Sequence, residues 1–280
     1  MAKFFSLSLL LVFLDSAAFS QYYYKDIVSV RQSHSDWQSY KDQKIKSIIV
    51  HSFEADEQPS KGFFCEKKIS KNYKEIDTYT RTVLSGKSLL STYFDKNGYL
   101  IKSEDSSESN VSISTYQYDA NNNLLSISTD SRSSDDDYVT SLNETHQYIY
   151  NDKGELQKML RIRNQKDSSE TVFEVDEKGN VIDEKEIAVD GSHFYYYYDD
   201  RNRLTDVVRY SFIKQKMLPD FIFQYNEQGQ VSQMIESQEG VASDYNIWNY
   251  VYDDGLRIKE KCYSKDKQLL GYLEYEYLDK

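Results

Sequence analysis

The sequence predicts an all-β protein, a repetitive antiparallel array of β-hairpins whose sheet coils or spirals. Three observations carry this. A motif of the form YxYDxxGxL recurs over the last two thirds of the chain. The 280 residues include 26 Tyr but only 2 Pro and 10 Gly, against about 5% Pro and about 7% Gly in ordinary chains. Proline cannot donate to a β-ladder and tyrosine suits a pleated surface, so this bias fits hydrogen-bonded strands. Finally, 39% hydrophobic and 15% aromatic content is enough for a buried core. Collagen-like, coiled-coil and disulfide-dense architectures are excluded by the same numbers.

Residues 1–20, MAKFFSLSLLLVFLDSAAFS, read as a signal peptide. Lys3 gives the positive start, Phe4 to Leu14 the apolar stretch, and Ala18-Phe19-Ser20 a small-x-small cleavage site that leaves Gln21 first. These eleven mostly apolar residues rise only about 16 Å as a helix, roughly half a bilayer core. Asp15 then ends the run. The expected location is secreted or periplasmic, with no transmembrane segment and with access to the cell surface. The net charge of −12 excludes a nucleic-acid partner, which needs a basic stripe.

Residues 21–91 contain no clean repeat and are read as a diverged N-terminal β cap, with a separate small domain as the alternative. Tyr40-Lys41-Asp42 and Phe53-Glu54-Ala55-Asp56 resemble worn repeats. Alternation at Ile45 to Ile48 and at Thr78 to Val83 predicts strands.

From residue 92 seven copies align: TYFDKNGYL, YQYDANNNL, YIYNDKGEL, FEVDEKGNV, YYYDDRNRL, FQYNEQGQV and YVYDDGLRI. An eighth starts at Tyr275-Glu276-Tyr277. The anchors are Asp95, Asp119, Asn151, Asp176, Asp199, Asn226 and Asp253. Three residues on stand Gly98, Asn122, Gly154, Gly179, Asn202 and Gly229. An Asp or Asn that accepts backbone N–H groups, followed by a residue that enters the left-handed region cheaply, is a type I turn closing a bulged hairpin. In the last copy Gly255 comes one position early, which predicts a tighter turn. Five residues after each anchor comes an aliphatic: Leu100, Leu124, Leu156, Val181, Leu204, Val231 and Ile258. Positions −1 and −3 are mostly aromatic and share one strand face, the predicted core ladder. The polar run Asp130 to Asp137 reads as a surface loop.

This pattern, YxYDxxGxL over about residues 92–280, resembles the YD repeats of the RHS/YD-repeat family. The resemblance implies long, coiled β-sheet arrays at cell surfaces and in secreted proteins, and carries carbohydrate binding as an inherited property. Larger members enclose a C-terminal toxin in a shell. Seven or eight copies are too few for such a shell, and no effector domain follows, so toxin delivery does not transfer.

The candidate ligand residues lie outside the core columns: Tyr93, Tyr195, Tyr197, Tyr245 and Trp248, whose aromatic faces suit sugars. Acid pairs at the turns (Asp176-Glu177, Asp199-Asp200, Asp253-Asp254) read as a solvated rim, since calcium needs about six to eight converging oxygens. No catalytic residues, metal ligands or cofactor are assigned. His34, His51, His146 and His193 are scattered, without HExxH spacing, and no GxSxG elbow occurs. Cys65 and Cys262 could form a single disulfide, or each could be a small buried hydrophobe. Asn110 and Asn143 begin N-glycosylation sequons. The expected function is a non-catalytic scaffold binding a glycan or a cell-envelope protein. The alternative is a glycan-cleaving enzyme with paired carboxylates in the groove of the coil. An array ending in mid-repeat would also present an unpaired edge for self-association.

Overall fold

A computed structural model describes residues 21–133, 141–212, 214–237 and 244–279. The expected signal sequence and Asp135 to Asp137 lie outside the described residues. A helix comes first, π-wound over Tyr23–Val28 and α-helical over Ser29–Asp42 (α1). Its apolar residues Tyr23, Ile27, Val30 and Trp37 recur at helical spacing and are buried. Tyr40-Lys41-Asp42 therefore belongs to the helix and is no worn repeat.

Among the described residues, eighteen strands follow. The first four are β1 (Ser47–Glu54), β2 (Phe64–Ile69), β3 (Glu75–Thr82) and β4 (Gly86–Phe94). Next come β5 (Leu100–Ser107), β6 (Asn110–Tyr118), β7 (Leu124–Ser133), β8 (Ser141–Tyr150), β9 (Leu156–Arg163) and β10 (Asp167–Val175). The chain continues through β11 (Val181–Glu186), β12 (His193–Tyr198), β13 (Leu204–Ser211) and β14 (Lys216–Tyr225). It ends with β15 (Val231–Ser237), β16 (Tyr245–Asp253), β17 (Leu256–Ser264) and β18 (Leu269–Leu278).

Each strand pairs antiparallel with its sequence neighbours, and β18 pairs back onto β1 from Ser47↔Leu278 to Glu54↔Gly271. The sheet is thus a closed barrel, not the open coil or spiral that the strand count predicted. The eighth repeat start, Tyr275-Glu276-Tyr277, lies against Val50, Ile49 and Ile48. Closure consumes both free edges, so the expected edge-to-edge association has no edge to use.

Every described repeat turn lies on one rim. Gly98, Asn122, Gly154, Gly179, Asn202 and Gly229 all have positive φ. The anchor side chain makes the turn: Asp119 Oδ1 accepts the N–H of Asn121 and of Asn123, each at 2.8 Å. Register shifts follow immediately, as between Gln117 and Tyr118, the bulge expected of such hairpins. At the last copy Asp254 and Gly255 both have positive φ, a two-residue turn that buries Leu256, where the spacing pointed to Ile258. Ser70 to Lys74, between β2 and β3, has the same form, with Tyr73 at positive φ and its N–H on Ser70 O.

The cysteines are free. Cys65 on β2 and Cys262 on β17 are buried and separated around the wall by β1 and β18. Three strand spacings of about 4.8 Å put them roughly 14 Å apart, beyond any disulfide. Of the two readings left open, the bridge does not form and each cysteine is a small buried hydrophobe.

Candidate functional site

The repeat columns build the interior. Tyrosine at position −1 faces the lumen and its hydroxyl donates to the carbonyl of the aliphatic position one repeat earlier. Tyr118 reaches Leu100 O at 2.7 Å, Tyr150 reaches Leu124 at 3.0 Å, and Tyr198 reaches Val181 at 2.9 Å. Tyr225 and Tyr252 repeat the bond to Leu204 at 2.6 Å and Val231 at 3.0 Å. This ring of clasps explains why the column is tyrosine and seldom phenylalanine.

The helix occupies the lumen, with partners around the wall. Glu184 on β11 accepts the backbone N–H of Tyr22 at 2.8 Å and of Tyr23 at 3.1 Å, capping a helix start that lacks a side-chain cap of its own. Tyr196 donates to the same carboxylate. Burial pushes Glu184 up to about 8, against the pull of these three donors. Asp26 accepts from His146 at 2.6 Å and from Tyr148, and the other ring nitrogen of His146 meets Glu144 at 3.0 Å. Burial pulls His146 down, but Asp26 and Glu144 outweigh it and hold the imidazole up to about 9. Arg161 donates to the Tyr22 hydroxyl at 2.8 Å. At the repeat rim, Trp37 Nε1 donates to Tyr73 O at 2.6 Å and Gln43 donates to Asp254 O at 2.9 Å. The lumen is a packed core, so the candidate site must be sought outside it.

Side chains of the opposite parity face out. On β12 these are His193, Tyr195 and Tyr197, while Phe194 and Tyr196 are buried inward. Beside them a shallow cleft of about 350 Å³ lies at the rim opposite the repeat turns. It is lined by Lys185, His193, Tyr195, Tyr210 and Phe212, and by the β11–β12 loop at Ala188, Asp190 and Gly191. His193 Nε2 is 2.7 Å from Asp183 and its Nδ1 is 3.2 Å from the Tyr195 hydroxyl, with the two rings stacked at 4.4 Å. Tyr210 and Phe212 meet edge to face at 5.0 Å. The chain Asp183–His193–Tyr195 fixes one aromatic ring, and Tyr210 and Phe212 supply a second wall. Burial and the Asp183 carboxylate push the Tyr195 phenol up, so it stays protonated and hydrogen-bonding. Flat aromatic area beside oriented polar groups is chemistry suited to a polyhydroxylated ligand.

The five ligand candidates do not converge. Tyr195 alone lines the cleft, and Tyr197 extends its ridge with 49% of its surface exposed. Tyr93 faces out on β4, with Lys102 over its ring and its hydroxyl 3.5 Å from Glu104. Tyr245 is outward on β16, opposite Ser237. Trp248 is a correction: it is buried in the lumen, its Nε1 3.3 Å from Glu236, and offers no ligand surface. Residues 248, 250 and 252 share one parity, which places Trp248 in the core ladder. Sequence reading missed Tyr210 and Phe212, whose period-two spacing across the end of β13 was the available signal, and the His193–Asp183 pair, which had none.

No family model matches the sequence, and no curated protein matches it. Solved structures are similar at low identity. A porin-like protein from Bacteroides uniformis aligns over 84% of this chain and 98% of its own, at 9% identity and TM-score 0.40. TcdB2–TccC3 aligns over 76% of this chain at 14% identity and TM-score 0.35. The Photorhabdus luminescens Tc holotoxin pore aligns over 71% at 13% identity and TM-score 0.27. The chain spans only 12% of the TcdB2–TccC3 chain and 15% of the holotoxin chain.

Proposed function

We propose that the protein is a non-catalytic β-barrel of the cell envelope or surface, secreted or periplasmic, that binds a glycan in the cleft at Tyr195, Tyr210 and Phe212. The carrying observation is the convergence there of two aromatic walls with the oriented Asp183–His193–Tyr195 chain. The recurrent turn, bulge and tyrosine clasp support relationship to the YD-repeat family.

A barrel that spans a bilayer is disfavoured by its own wall. Ion pairs Lys102–Glu104, Lys158–Glu170 and Lys259–Glu274 stand on the outward face. A lipid-facing lysine near the midplane costs about 2–4 kcal/mol. Glycan cleavage by two carboxylates is the weaker reading, because Glu186 at the cleft is drawn toward Arg161, 3.7 Å away in the lumen, and Asp190 sits on an exposed loop.

The test is a glycan array probed with wild type, Tyr195→Ala and Tyr210→Ala. Binding to a defined sugar class that both substitutions abolish is the expected result. Binding indifferent to them, or a blank array, would remove the cleft as a glycan site.

A further inference from the structure

We propose that the rim opposite the repeat turns docks on a phospholipid bilayer, the barrel lying on the membrane surface without crossing it. The two rims differ in chemistry. Repeat turns carry polar tips such as Lys96-Asn97, Asn121-Asn122 and Asp152-Lys153. On the other rim the β3–β4 hairpin ends in Val83 and Leu84, exposed by 77% and 73%. The β11–β12 loop presents Ile187 at 55% and Val189 at 96%, and Phe212 at the β13–β14 tip is 47% exposed. Such tips gain nothing from water, and the fold does not require them to be apolar, since other hairpins on this rim close with polar residues such as Asn164-Gln165-Lys166.

The spacing of the tips selects the partner. The β3–β4 hairpin and the β11–β12 loop are eight strands apart in a ring of eighteen, nearly opposite one another. Eighteen tilted strands at about 4.8 Å give a ring on the order of 30 Å across. A small ligand or a single peptide cannot cover both clusters, whereas a plane meets both together. Bases flank each cluster: Arg81 and Lys87 beside Val83-Leu84, Lys185 beside Ile187, and Lys214 and Lys216 beside Phe212. That arrangement places aliphatic tips at the acyl boundary with cations at the phosphates. Asp56, Glu57, Glu108, Asp190 and Asp266 share the rim, so the choice of headgroup belongs to the test. The charged pairs of the wall above set the depth and keep the contact superficial. One consequence is that the Tyr195 cleft opens at headgroup level.

The experiment is flotation of the full-length protein with phosphatidylcholine vesicles and with mixed phosphatidylcholine–phosphatidylglycerol vesicles. Wild type should float with at least one composition. The variant V83D/L84D/V189D should lose at least about tenfold in bound fraction, the order expected when several apolar contacts become charges. Ile101→Asp, on the outer wall by the repeat rim, should float as wild type. A second measurement is independent of any loss: the indole fluorescence of Phe212→Trp should shift to the blue on adding vesicles. Failure of wild type to float overturns the proposal, as does loss in Ile101→Asp equal to that in the triple variant. So does full flotation of the triple variant, since the apolar run at residues 4–14 would then carry the binding, or an unshifted Phe212→Trp spectrum. None of these results depends on the glycan reading, which the array tests separately.

Discussion

Two glycines at equivalent places in the repeat should respond very differently to a single methyl group. Gly98 and Gly154 each stand three residues after an anchor, with φ of +91° and +79°. Alanine in that region costs about 1–2 kcal/mol at either position. A Cβ on Gly154 meets no heavy atom within 4 Å. On Gly98 it would lie 2.2 Å from Trp37 Cε3 and 2.5 Å from Cζ3, too close for any contact. The indole cannot slide, because it is 3% exposed and its Nε1 is held on Tyr73 O. Displacing it adds about 1–3 kcal/mol of overpacking and about 1 kcal/mol for the hydrogen bond. Gly154→Ala should therefore cost about 1–2 kcal/mol and Gly98→Ala about 3–6 kcal/mol. Urea unfolding followed by tryptophan fluorescence and circular dichroism reads both, and in a Trp37→Ala background the cost of Gly98→Ala should fall to that of Gly154→Ala. Equal losses at the two glycines, or an undiminished cost of Gly98→Ala in the Trp37→Ala background, would refute the seating of Trp37 under the turn.

Three further outcomes follow from the interior. Tyr150→Phe removes a clasp and strands Leu124 O, so it should lower stability by about 1–2 kcal/mol in the same unfolding assay. Stability should also fall as pH rises from about 5 to about 9. Burial lifts Glu184 from 4.5 to about 8, so the folded state keeps a proton that the unfolded chain releases. His146, held up to about 9, loses its stabilising charge as pH climbs past 6.5 toward that value. Glu184→Gln should flatten the lower part of a melting-temperature profile, and a profile that rises with pH would contradict both assignments. Cys65 and Cys262 should react with a thiol reagent only after unfolding, with no mobility change on reduction.

The hairpin was legible because its causes are local. An Asp or Asn anchor, a left-handed residue three positions on and the period-two columns specify turn, bulge and inward face from nine consecutive residues. The closure was not legible. The pairing of Ile48 with Tyr277 joins segments more than two hundred residues apart, and each alone reads as an ordinary strand. Helix α1 was legible in principle, since Tyr23, Ile27, Val30, Trp37 and Tyr40 fall on one helical face. Its acceptance by the lumen depends on Glu184, Asp26 and His146 meeting in space, which no local pattern encodes. The site divides in the same way: the parity that sends Tyr195 outward sends Trp248 inward, while the cleft beside Tyr195 depends on β13 lying against β12.

That parity also determines where function can reside. The tyrosines that look most like a sugar platform, at positions −1 and −3, are engaged inward by clasps and by the helix. A partner meets only the opposite parity and the two rims. Apart from the two-residue turn at Asp254-Gly255, the repeat rim is uniform, because six turns are fixed by the same anchor bond and have little freedom to diverge. Across the barrel the connections follow no common rule, from the short Val83-Leu84-Ser85 tip to the longer β11–β12 loop with Gly191 and a left-handed Asp190. Loops free of a shared structural duty are where recognition residues accumulate on a rigid scaffold. The cleft at Tyr195 and the exposed Val83, Leu84 and Val189 all lie on that less constrained rim. The repeat supplies the wall and fixes one end, and both proposed recognition surfaces fall on the other.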